Sequence, residues 1–272
     1  MNNKLAVSTL AFQNWELEDA IRACKDHGID AMEIRMDFHS WSQLGLPDCV
    51  YEENLKKMQQ QGISVSDLAA SIKISGYDTG RLKEAERCAR IANLLQCRGI
   101  RIMIGGKKDD REPEIDMDGL VRWLIEADEI MGRYGTQIWI ETHGPFSSGR
   151  RNRELLDRYP FQNVRMIWDI IHPLEAGEQP EETLHYIGKD LVHVHIKDGE
   201  PKKGQAIGHW RYTRLGEGAI PITDIVNKLL EIGYQGYFSL EWESPWRQEL
   251  RGEGYEIPEI LRQYSGLMRT LL

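Results

Sequence analysis

The sequence of 272 residues has no apolar run approaching the roughly 18 residues that cross a bilayer. Positive charge is not in excess. The formal net charge is −9, which speaks against a nucleic-acid partner and against an anionic membrane surface, since both select a basic face. Cysteine is sparse. Cys24, Cys49, Cys88 and Cys97 are scattered without a C-x-x-C pair, and Cys24 and Cys88 fall at apolar helix positions, so buried thiols are expected rather than a disulfide or a zinc site. The expected compartment is the cytoplasm. Residues 5–12 are too interrupted by Ser8 and Thr9, and too poor in basic flank beyond Lys4, to read as a signal core. Low-complexity and Pro/Ser-rich linkers are missing too, so the expectation is one domain over residues 1–272.

What recurs instead is a strand followed by a helix. Strands are predicted at 5–10, 31–35, 64–69, 100–104, 137–141, 165–169, 191–196 and 237–241. Between them run helical stripes: Leu17, Ala20, Ile21, Cys24, with Asn14 as the expected N-cap; then Leu82, Ala85, Cys88, Ala92, Leu95; and Leu120, Leu124, Ala127, Met131. Two more follow at Ile225, Val226, Leu229, Leu230 and at Leu261, Tyr264, Met268, Leu271. Gly28, Gly62, Gly99, Gly135 and Gly233 are placed to close helices before the next strand. Strict alternation demands a parallel sheet, and eight units suggest closure. The fold class expected is α/β, a single (β/α)₈ TIM barrel.

The strands carry a side-specific pattern. Val192, Val194 and Ile196 alternate with His193, His195 and Lys197. Phe238, Leu240 and Trp242 alternate with Tyr237, Ser239, Glu241 and Glu243, while Met32 and Ile34 alternate with Glu33 and Arg35. Side chains alternate faces along a strand, so the apolar set meets the helices and the ionisable set points into the barrel. An ordinary barrel interior is Val, Ile and Leu; here it turns polar toward the C-terminal strand ends, where such barrels carry their sites.

Four segments concentrate the chemistry: Ile140-Glu141-Thr142-His143, Trp168-Asp169-Ile170-Ile171-His172, His193-Val194-His195-Ile196-Lys197-Asp198 and Ser239-Leu240-Glu241-Trp242-Glu243. Each closes one of the last four predicted strands. Three carboxylates and an imidazole converging at one mouth repel and desolvate one another without a cation. A divalent ion resolves this. With neutral imidazole, a ligand charge of −3 and a metal charge of +2 leave −1. Oxygen and nitrogen ligands without thiolate suit Mn²⁺, Mg²⁺, Co²⁺ or Zn²⁺.

With these motifs, the early mark AMEIR (31–35) and LGEG (215–218), the whole chain resembles the xylose-isomerase-like (β/α)₈ superfamily, in particular its sugar phosphate isomerase/epimerase and inosose-dehydratase-like members. The resemblance implies metal ligation by Glu141, Asp169, His195 and Glu241. His195 is preferred to His193 as the second histidine of H-x-H and the one nearer the strand end. The ion implied is a single divalent one, Mn²⁺ foremost. The resemblance further implies that Glu141 and Glu241 serve as base and acid around an enediolate, and that the substrate is a small sugar-like molecule. His172 matches a substrate-contacting position and His143 one found in dehydratase-like members. Lys197 and His172 are candidates for polarising a carbonyl or holding a hydroxyl. Arg35 and Arg214 are candidates for a phosphate or carboxylate, and Glu33 for orienting substrate or balancing Arg35. A homodimer is implied by the resemblance alone.

The site fits a metal-dependent sugar isomerase or epimerase. A dehydratase of the dehydroshikimate or inosose type is the alternative, because IETH and SLEW occur together. An endonuclease IV-like phosphodiesterase is disfavoured by the net charge of −9, and an inactive sugar-binding barrel by the retained ligand set. Substrate identity falls to the loops 38–48, 145–151 and 199–214. The spacing of 26 residues from Asp169 to His195 grows to 46 from His195 to Glu241. The surplus lies in a loop with Lys202, Lys203, Arg211, Arg214, Trp210 and Tyr212, which reads either as a solvated loop or as a cover over an anionic or sugar substrate.

Overall fold

A computed structural model describes residues 4–105, 114–202 and 210–272. Eight parallel strands close into a barrel: β1 (Lys4–Ser8), β2 (Ala31–Arg35), β3 (Ser64–Ile74), β4 (Gly99–Ile104), β5 (Gln137–Glu141), β6 (Val164–Asp169), β7 (Leu191–Ile196) and, completing the ring between β7 and β1, β10 (Tyr237–Leu240). Within the barrel each strand neighbours the barrel strand before it in sequence, as successive βαβ units do. β8 (Asp198–Pro201) and β9 (Trp210–Thr213) form a separate antiparallel hairpin on the loop after β7.

Most of the apolar core lies between barrel and helices. Met32, Ile34, Ile100, Ile102, Val194, Ile196, Phe238 and Leu240 face outward and are fully or almost fully buried. Each contributes about 1.5–3 kcal/mol by leaving water. Against them pack the predicted stripes on α1 (Leu17–Asp26), α3 (Thr79–Leu94), α4 (Met117–Tyr134), α8 (Ile222–Glu231) and α9 (Ile257–Leu271). Asp78 and Asp116 cap α3 and α4 by accepting first-turn amides. Four further helices, α2 (Asp48–Gln60), α5 (Gly149–Leu156), α6 (Ile171–Glu175) and α7 (Pro180–Ile187), complete the ring. No helix among the described residues is long and apolar enough to cross a membrane.

The barrel interior is ionic rather than aliphatic, as the strand parity indicates. Glu33, Asp67, Arg101, His193, His195 and Ser239 are all at most 4% exposed. Such groups stay folded only if partnered. Ser239 Oγ and both histidines converge on Glu33, and Ser66 Oγ donates to Asp67.

Several local expectations are corrected. Asn14 does not cap α1; it sits in the left-handed region at φ 64°, and Glu16 is the N-cap. Gly28, Gly62, Gly135 and Gly233 do end helices with positive φ, but Gly99 does not. Gly99 opens β4, where a Cβ would lie 2.3 Å from the Trp139 ring, and Gln96 takes the left-handed turn at φ 55° instead. β1 stops at Ser8, after which residues 9–12 wind into a short 3₁₀ turn. β3 runs five residues past its expected end at 69 because Ile72 and Ile74 continue the buried alternation, with a register shift against β4 between Ala69 and Lys73.

The LGEG segment acquires a structural role. Both Asp198 oxygens accept backbone amides, those of Gly199 and Ile220 on one and of Gly216 and Gly218 on the other. This ties the far end of the long loop to the end of β7. At Gly218 a Cβ would meet Asp198 Oδ1 at 2.1 Å, so glycine is required there.

Candidate metal centre

The four strand-end groups meet. One ligand atom from each of Glu141, Asp169, His195 and Glu241 lies within 4.8 Å of every other. The register explains why. Asp169 on β6 and Ser239 on β10 both pair with His195 on β7, and Glu241 follows Ser239 by two residues, back onto the same inward face. His195 Nδ1 is 3.5 Å from Glu141 Oε1, 3.5 Å from Glu241 Oε2 and 3.9 Å from Asp169 Oδ2. Ligands about 2.1 Å from a tetrahedral ion stand roughly 3.4 Å apart, close to these separations.

Two buried atoms carry the fit. His195 Nδ1 and Asp169 Oδ2 have no hydrogen-bond partner. His195 Nε2 already faces Glu33 Oε2 at 3.0 Å. A neutral His195 that donates there presents a lone pair at Nδ1 to three carboxylates, which a cation between them would satisfy. The residues therefore fit a divalent ion, with Glu33 holding the imidazole from behind in the way that orients metal-bound histidines. Without a metal, burial opposes a charge on His195, but Glu33, Glu241 and Glu141 hold its pKa well above the ordinary value.

Two cations share the carboxylates. Lys197 Nζ lies 2.7 Å from Asp169 Oδ2, though without hydrogen-bond geometry, and bonds Glu241 Oε2 and Glu243 Oε1. Arg101 Nη1 donates to Glu141 Oε2 at 2.7 Å and lies 3.6 Å from Glu241 Oε1. Burial alone would raise Glu141, yet Arg101 and His195 keep it well below the carboxylate range, whereas burial leaves Glu241 raised despite Lys197 and His195.

Above the cluster opens a cavity of about 460 Å³. Its walls include Glu141, Glu241, Arg35, His143 and His172. The two imidazoles meet edge to face at 4.8 Å. Burial and His172 push His143 down to about 4. Burial would lower His172 too, but Asp169 and Glu175 hold it up at about 9.

Other candidates fall elsewhere. Glu33 is fully buried beneath His195, 3.0 Å from its Nε2, and does not line the cavity. Arg214 is likewise not on the cavity wall; it stacks on Tyr255 at 4.7 Å and faces Glu217. Lys197 stands behind the wall, among carboxylates. His193 sits deeper in the barrel, 3.2 Å from Glu33 and stacked on Trp139. None of the long loop's described basic residues lines the cavity, and Arg211 pairs with Glu200 across the hairpin; Lys203 lies outside the described residues. Its Tyr212 is buried between Lys197 and Arg247.

Sequence reasoning missed Arg101, Lys73 and Arg247, all on the cavity wall. Arg101 was available to it, because Ile100, Ile102 and Ile104 alternate with Arg101 and Met103 on β4 just as the apolar and polar sets do on β7. Lys73 depended on the extension of β3, and Arg247 on a loop without periodicity.

A family model described as "Xylose isomerase-like TIM barrel" matches residues 21–264. The chain belongs to the xylose isomerase-like TIM barrel family. Among curated proteins, this member is 24% identical over 217 residues to the inosose dehydratase of Geobacillus kaustophilus, covering 69% of the chain and 70% of that protein. It spans between 49% and 70% of the lengths of curated relatives that it matches. Among solved structures it is similar to the IOLI protein with a binding zinc atom, at 19% identity and a TM-score of 0.79 with 99% of each chain covered. It is also similar to D-psicose 3-epimerase in the presence of D-fructose, at 15% identity and a TM-score of 0.78 with 99% of each covered. At these identities the structural matches establish the fold.

Proposed function

We propose that this family member is a divalent-metal-dependent isomerase or epimerase of a sugar or sugar derivative, with Mn²⁺ the favoured ion. One observation carries the reading. Of the four clustered residues, only Glu141 and Glu241 line the cavity, while Asp169 and His195 are fully buried behind them. The two residues that can reach substrate are carboxylates, from strands separated by β6 and β7 in the ring.

A divalent ion held by the four residues would supply Lewis acidity to two adjacent substrate oxygens. The remaining work belongs to the chain's own groups. One glutamate removes the proton from the carbon next to the carbonyl and the other returns a proton to the resulting enediolate. Arg101 holds Glu141 Oε2, and Lys197 holds Glu241 Oε2, so each carboxylate keeps a fixed orientation. No activated Ser or Cys nucleophile faces the cavity among the described residues.

A dehydratase is the second reading, supported by the inosose dehydratase relative and by His143 on the cavity wall. It shares the first proton abstraction and then expels a β-hydroxyl. Turnover of a ketose panel in D₂O tests both. Deuterium on the carbon next to the carbonyl is expected. Release of water with a conjugated, ultraviolet-absorbing product would select the dehydratase. Turnover without solvent exchange, by hydride transfer between adjacent carbons, would overturn the glutamate assignment.

A further inference from the structure

Arg35 and Arg101 lie in one layer of the sheet, each paired in register with Ala69 of the strand between them. Their guanidinium groups converge. Arg35 Nη1 donates to the carbonyls of Ala69 and Ala70 at 3.1 and 3.3 Å, and Arg101 Nη2 reaches the Ala70 carbonyl at 3.5 Å. Both side chains line the cavity beside the carboxylate cluster.

The carboxylates here already have cations. Arg101 bonds Glu141, Lys197 bonds Glu241 and lies against Asp169, and Arg247 faces Glu243. Among the described residues Arg35 has no carboxylate within salt-bridge distance; its guanidinium donates to the two carbonyls, and Arg101 is its neighbour. Burial and that neighbour push its pKa down to about 10. Hydrogen-bonding a carbonyl at the β3 irregularity needs only a neutral donor. Arg101 is matched by Glu141, whereas Glu241, Glu141 and Glu33 act on Arg35 only from beyond ion-pair distance, so the Arg35 guanidinium has no carboxylate in contact among the described residues. Keeping like charges together in a partly desolvated place is costly unless an anion joins them.

Building on the isomerase reading, we propose that the substrate carries a small oxyanion group, a carboxylate or a phosphate, seated between Arg35 and Arg101 while its hydroxyl and carbonyl oxygens face Glu141 and Glu241. The planar fork of Arg35 is suited to bidentate contact with such a group. The substrate class is therefore a sugar acid or a sugar phosphate, not a neutral sugar.

Calorimetry on the metal-loaded protein separates the cases with three probes of one carbon skeleton: arabinitol, arabinonate and arabinitol 5-phosphate. At least one anion is expected to bind about 10-fold or more tighter than arabinitol, and which one does so identifies the group. Arg35→Gln is expected to reduce that preference to within roughly 3-fold. Should Arg35→Gln fail to fold, Arg35→Lys, which keeps the charge and loses the fork, must still lower it. Equal affinity for all three, a preference that survives Arg35 substitution, or binding of both anions weaker than about 1 mM would overturn the proposal. Because the readout is binding, a loss of solvent exchange in D₂O would remove the isomerase reading and leave this result standing, and the converse also holds.

Discussion

His195 Nε2 lies 3.0 Å from Glu33 Oε2, on the side of the ring turned away from Glu141, Asp169 and Glu241. A carboxylate from β2 thus fixes the orientation of an imidazole on β7. Glu33→Gln keeps the shape and removes the charge. It is expected to weaken metal affinity by about 10–100-fold, the usual effect of losing such a partner, while the circular dichroism spectrum stays unchanged. Unaltered metal affinity would show that Glu33 serves the barrel interior alone.

The two histidines of β7 are expected to part company. His195→Ala removes a ligand and should abolish metal binding. His193→Ala should retain the metal and lose about 2–5 kcal/mol of stability, through a cavity against Trp139 and a lost partner for Glu33. Metal analysis and thermal melting of both variants decide it. Metal loss in His193→Ala with retention in His195→Ala would show that the ligand lies one inward position deeper.

The parity of short strands made much of this legible. On β7 and β10 the alternation of Val194, Ile196, Phe238 and Leu240 with His193, His195, Ser239 and Glu241 is uninterrupted, so the inward set could be read directly, and with it the cluster. Where geometry is irregular the reading stops. The register shift of β3 against β4 separates Ala69 from Lys73, so Lys73's place on the wall follows from no simple period. Charge in a loop says nothing of direction, and Arg214 stacks on Tyr255, off the cavity wall. Gly99 looked like a helix terminator, but its lack of a side chain makes room for Trp139, a residue 40 positions away that only the closed barrel brings near.

Glu141→Gln and Glu241→Gln, compared at saturating metal, are each expected to lower kcat by at least ~10²-fold. The deuterium exchange of the enediolate step should fall in parallel. A variant with full exchange would remove that glutamate from the proton-transfer pair while leaving it as a ligand.

Gly236→Ala tests the packing at the start of β10. A Cβ there would lie 2.2 Å from the Val192 carbonyl oxygen and 2.3 Å from Tyr234 Oη. The first obstacle is backbone, so relief requires separating β10 from β7. A loss of about 1–3 kcal/mol or more is expected, which lowers Tm by roughly 2–4 °C per kcal/mol in a chain of this size. An unchanged Tm would contradict the close approach of these strands.

Glu141, Asp169, His195 and Glu241 are expected to hold one divalent ion, which metal content reads out. Protein stripped with EDTA, reloaded separately with Mn²⁺, Co²⁺, Zn²⁺ and Mg²⁺ and freed of excess should retain one equivalent of at least one of them. At 100 times its Kd that ion should stabilise the fold by about 2.7 kcal/mol, and the Asp169→Asn and His195→Ala variants should retain none. Wild-type protein that retains no ion and melts at the same temperature with and without all four would contradict the account.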